Sequence, residues 1–119
     1  VQHEIFEILE SRGVFRSQFE PFFMAREDWA LIMRCDRTTL WRYEQQIIRL
    51  VFPILKEYQI SKFLDGYQRY ILALIIAHKR GWTDGKKREY QEIKDWLKRS
   101  HSVLTREQFE NWINNDGSR

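Results

Sequence analysis

Apolar residues recur three and four positions apart along most of the chain, the period of helices that bury one face. Residues 3–12 form a first predicted helix with Ile5, Ile8 and Leu9 on one side, and Gly13 stands where a C-terminal cap belongs. Residues 14–23 are aromatic and carry Pro21, so they read as a connector with one helical turn, packed on the core. Residues 26–33 form a second helix with Trp29, Ala30 and Met33 inward. Arg34 and Cys35 make a turn, and Asp36 is placed to cap the next helix by accepting bonds from its free N–H groups. That third helix runs from Arg37 to about Val51, where Pro53 should end or kink it. A fourth helix opens at Ile60 or Ser61 and reaches about Arg80, with Gly81 as its stop. Its segment 71–77 is apolar all round, which suits either the middle of the domain or a partner interface. Residues 81–85 form a loop. A fifth helix over 86–99 aligns Tyr90, Ile93 and Leu97, with Trp96 beside them. Thr105 and Gln108 form a capping box for a short last helix with Phe109, Trp112 and Ile113 inward, and 114–119 reads as a frayed tail. The pattern predicts one all-α domain over 1–119, a compact bundle of five or six helices.

Within it, the stretch REDWALIMRCDRTTLWRYEQ, residues 26–45, has a specific internal logic. Two helices that cross steeply need a small residue at the crossing, and Ala30 is there. Trp29 and Met33 fill the wedge beside it, and Asp36 follows a tight turn. Leu40 and Tyr43, fourth and seventh in the second helix, anchor it. The stretch resembles the helix-turn-helix of bacterial and phage regulators. Arg34 departs from that pattern, in which the turn begins with Gly, because a left-handed residue with a side chain costs roughly 1 kcal/mol. Cys35 stands where Val or Ile is usual, which a buried thiol can imitate.

The resemblance implies a third helix lying in the major groove of double-stranded DNA. Arg37 and Arg42 would then grip guanine edges or phosphates, and Gln45 would read adenine. Thr38 and Thr39 would touch phosphate or a thymine methyl, while Arg26 and Arg49 suit phosphate. Trp41 has two readings: it faces the groove, or it joins Ile48 and Phe52 in a second apolar stripe packed under the next helix.

Composition supports helices, with five Gly and two Pro in 119 residues, and 43% hydrophobic residues supply a core. The net charge of +3 matters less than its distribution. Residues 78–104 hold eight Lys and Arg against four Asp and Glu, gathered at Lys79, Arg80, Lys86, Lys87, Arg88, Lys98 and Arg99. Such a cluster suits a phosphate backbone, and equally a solvated helix face.

Other chemistry finds little footing. Cys35 is the single cysteine, and His3, His78 and His101 are scattered without the paired spacing of a zinc site. Cys35 and His78 lack any spacing that would activate a nucleophile. The segment around Gly81 and Gly85 lacks phosphate-loop spacing. No enzyme, cofactor, metal or small-molecule ligand is expected. One cysteine, the lack of a secretory pattern and a longest apolar run of seven residues point to a cytoplasmic, membrane-free protein, nucleoid-associated if bacterial. The chain opens on Val1, so a fragment or processed form of a longer protein is expected. The expected function is sequence-specific DNA binding as a transcriptional regulator, with a homodimer reading two half-sites. The alternative is a helical protein-interaction or dimerisation module that binds no DNA.

Overall fold

The computed structural model describes the backbone of residues 2–51 and 55–116, and side chains over 7–51 and 55–114. Phe52 and Pro53, the proposed end of the third helix, lie outside them, as do residues 117–119 of the proposed frayed tail, whereas its residues 114–116 continue the last helix rather than fray.

Six α-helices build the described chain: α1 (Gln2–Ser11), α2 (Arg26–Met33), α3 (Arg37–Tyr43), α4 (Gly66–Lys79), α5 (Tyr90–Ser100) and α6 (Arg106–Asp116). The expectation of a helical bundle holds. One small sheet is added to it: β1 (Met24–Ala25) pairs antiparallel with β2 (Phe63–Leu64), Met24 opposite Leu64 and Ala25 opposite Phe63.

Helix α4 is the axis of the domain. Every residue from Gly66 to His78 is buried, so the apolar 71–77 segment is interior and is not available as a dimer face. The helix starts later than its apolar period suggests, at Gly66, because Phe63 and Leu64 are drawn into the strand pair. Asp65 caps it: its Oδ1 accepts the Gln68 N–H at 2.9 Å, and Gln68 Oε1 accepts the Asp65 N–H at 2.8 Å. Glycine is required at position 66. A Cβ there would stand 2.2 Å from the Phe19 carbonyl oxygen, so the connector can lie directly on the start of α4.

Arg69 fastens that connector. Its buried guanidinium donates to the carbonyls of Gln18 (2.9 Å), Glu20 (2.7 Å), Phe22 (2.7 Å) and Leu64 (2.8 Å). Burial lowers its pKa to about 10, against the opposing pull of Asp65. The connector contains the single helical turn expected, Arg16–Phe19. Phe19 packs edge-on against Trp29 and Tyr70. Phe109 and Trp112 of α6 close the same aromatic cluster, as their helical spacing predicts.

Helix α5 also begins later than expected, at Tyr90 rather than Lys86. Asp84 holds the preceding residues in a loop, accepting the Lys86 N–H at 3.1 Å and Arg88 Nη2 at 2.7 Å. Thr105 caps α6 as expected, its Oγ1 accepting the Gln108 N–H at 3.1 Å.

Candidate nucleic-acid interface

The bend between α2 and α3 is made by one residue. Arg34 sits at φ 58, ψ 51, the left-handed conformation for which glycine is usual, and it is the one non-glycine residue with positive φ among the described residues. The Cys35 N–H donates to the Ala30 carbonyl at 2.9 Å and the Arg34 N–H to Leu31 at 3.2 Å, which ends α2. Asp36 then turns extended and its carbonyl accepts from Thr39 at 3.0 Å, opening α3. The cap is a backbone one. The Asp36 side chain makes no capping bond, contrary to the sequence expectation.

The interior of the pair is filled as the pattern requires. Trp29, Ala30, Met33, Leu40 and Tyr43 are all buried. The opposite side of α3 is open: Arg37, Thr38 and Arg42 are exposed, and Trp41 is 53% exposed. Trp41 therefore leaves the apolar stripe, while Ile48 joins the core. The helical path continues beyond Tyr43 as a π-helical stretch, Glu44–Ile48, and a 3-10 turn, Arg49–Val51. The wider winding brings Glu44, Ile47 and Ile48 all inside. Thr39 and Gln45 are half-buried, and Gln45 Oε1 accepts a bond from the exposed Arg49 at 2.7 Å.

Arg26 stands apart from the other candidates. Its Nε and Nη2 donate to the two carboxylate oxygens of Glu44 at 2.6 and 2.9 Å, and its Nη1 donates to the Lys62 carbonyl at 3.3 Å. Its side chain is 13% exposed and that of Glu44 is fully buried. The bond to Glu44 raises the Arg26 pKa, with burial opposing. A guanidinium held this way has little left for a phosphate, so Arg26 serves the fold rather than the phosphate contact its position in the sequence suggests. Its structural role is to tie the start of α2 to the end of α3 and to the loop before β2. Tyr58 completes the group by donating its hydroxyl to Glu44 at 2.6 Å. Burial, and then Glu44, raises the Tyr58 pKa well above its usual value.

Glu44 is an anchor that the helix-turn-helix pattern does not name, although the sequence carries a signal for it. It falls on the inward period with Leu40, Tyr43 and Ile47, where an unpaired charge would be costly.

The basic segment divides. Arg88 is paired with Asp84 at 2.7 Å, Lys79 lies over the Tyr90 ring at 4.8 Å, and Lys86, Lys87, Lys98 and Arg99 are exposed. Arg80 reaches the turn itself, donating to the Arg34 carbonyl at 2.9 Å. Burial raises the Cys35 thiol pKa, against the pull of Arg80, which is the opposite of nucleophile activation. Among the described residues no three His, Cys, Asp or Glu side chains group as a metal site, and no helix is long and apolar enough to cross a membrane. Comparison with family models, curated proteins and solved structures returns no match.

Proposed function

We propose that this chain is a DNA-binding module that lays the outer side of α3 in the major groove, as a transcriptional regulator does. The observation that carries the reading is the bend at Arg34, followed by a helix whose Arg37, Thr38, Trp41 and Arg42 are exposed while Leu40 and Tyr43 are buried. Arg37 and Arg42 have the planar donor fork that matches two acceptors on a guanine edge. Thr38 is placed for a phosphate or a thymine methyl. Gln45 and Arg49 bond each other, so they would reach bases or phosphate after that bond opens. Thr39, half-buried, is a weaker candidate. Two copies on half-sites about 34 Å apart would suit such a helix. The action would take place where the genome is, in the cytoplasm if the source is bacterial.

A second reading has its own observation. Leu31 is 76% exposed, Leu50 58% and Trp41 53%, an apolar set on or near the same helix pair. In that reading the pair docks on another protein and binds no DNA. Retention of a labelled duplex at two salt concentrations separates them. DNA binding through several phosphates falls steeply with salt, and an apolar interface responds weakly. No retention of any duplex at low salt would overturn the proposal.

A further inference from the structure

We propose that Arg12 and Arg80, which lie against the Trp82 ring, and the exposed Arg34 of the bend that Arg80 holds form a separate phosphate-gripping patch that sets the register of the protein on DNA, while α3 reads the bases. The inference rests on the DNA-binding reading above and assigns residues that the α2–α3 pair does not predict.

Three parts of the chain converge here. Arg12 follows α1, Arg34 forms the bend, and Arg80 ends α4. Arg80 donates to the Arg34 carbonyl at 2.9 Å. The guanidinium carbons of Arg80 and Arg12 lie 5.5 and 5.3 Å from the centre of the Trp82 ring. None of the three makes an ion pair with another described residue. The ion pairs among the described residues are Arg26–Glu44, Arg88–Asp84 and Arg106–Asp65. Asp36, in the same turn, pairs with none of them.

Like charges brought together without an ion pair to offset them oppose folding. Contact with the indole offsets part of that cost. The surplus positive charge suits a partner whose negative charges repeat at intervals, and a nucleic-acid backbone has that form. Arginine also matches phosphate with two parallel donors. The location matters too, because Arg34 stands three residues before Arg37, so the patch adjoins the start of α3. Phosphate contacts fix orientation and carry no sequence information, which separates this patch from Arg37 and Arg42.

The test is a set of duplex-binding titrations by fluorescence anisotropy between about 50 and 200 mM salt. The wild type is compared with Arg12→Gln, Arg34→Gln, Arg80→Gln, Arg80→Lys and, as a control, Arg106→Gln. Each of the first three should lower the slope of log affinity against log salt by about 0.9. Each should also weaken preferred and scrambled duplexes by the same factor. Arg80→Lys should keep the slope, and Arg106→Gln should leave it unchanged. Arg80→Gln removes a bond to the bend and could disturb it, so the exposed Arg12→Gln decides if that variant unfolds. Wild-type slope in Arg12→Gln and Arg34→Gln would overturn the patch while leaving the role of α3 intact. A wild type that binds no duplex would overturn both.

Discussion

Arg26 and Glu44, eighteen residues apart, meet in a two-point ion pair at 2.6 and 2.9 Å that joins the first turn of α2 to the residue after α3. The pair decides how the two helices sit. It lies across the open end of the hairpin, opposite the bend at Arg34, so both ends are fixed. Tyr58 extends the tie to the chain that returns toward β2.

Removing one partner should therefore cost far more than a surface ion pair. Glu44→Gln or Arg26→Met is expected to destabilise by about 3–5 kcal/mol, because each leaves a buried group uncompensated. Replacing both with apolar residues should cost less than the sum of the two. Tyr58→Phe should cost about 1.5–3 kcal/mol as a lost bond to a charged group. Urea unfolding of the singles and the double gives these values. Additive losses would mean that the residues are not coupled.

The crossing of α2 on its partners leaves no room at Ala30, which is 2% exposed. Ala30→Leu should overpack the interior and destabilise by roughly 1–3 kcal/mol. Thermal unfolding would show the loss, and an unchanged midpoint would place the crossing elsewhere.

His78 makes stability depend on pH. Its Nε2 is buried with no hydrogen-bond partner, and the ring packs 4.2 Å from that of Trp96, centre to centre. Burial and then Arg88 lower its pKa from the usual 6.5, with Asp84 opposing. The unfolded chain then takes up a proton at higher pH than the folded one. Stability should be full above about pH 6.5 and fall as pH drops from there toward the folded pKa. His78→Asn should flatten that part of the profile, measured as unfolding midpoints between about pH 7.5 and 5. An identical slope in the variant would assign the effect to other groups.

Arg37→Ala and Arg42→Ala should each weaken duplex binding by about 1–3 kcal/mol and relax preference at one base position. Both side chains are exposed, so unfolding midpoints should stay within about 0.5 kcal/mol of wild type. A large stability loss with unchanged binding would give these arginines a structural role.

Much of the helical framework was legible in the chain, because helices leave a long periodic trace. Ala30, Met33, Leu40 and Tyr43 read correctly as interior, and the bend fell where Arg34 and Cys35 predict it. The strand pair left no trace, since two residues cannot show alternation. For the same reason the sequence pattern starts α4 early, at Ile60 or Ser61: Phe63 and Leu64 continue its apolar period while belonging to β2. The π-helical winding from Glu44 shifts the phase of the helix, so a 3.6-residue wheel cannot separate Trp41 from Ile48. The inward phase of Glu44 marks it for a buried partner, but no local pattern identifies that partner as Arg26, eighteen residues away. Among the proposed contact residues, spacing alone located Arg37, Thr38 and Arg42 on an open surface. It misassigned Arg26, whose charge is consumed within the fold.

The proposed contact between the outer side of α3 and DNA is tested by a backbone amide NMR titration with duplex DNA. Amide shifts should concentrate at Arg37, Thr38, Trp41 and Arg42 and at the bend near Arg34, with α4 unaffected along its buried length. Shifts confined to other elements, or none at low salt, would contradict it.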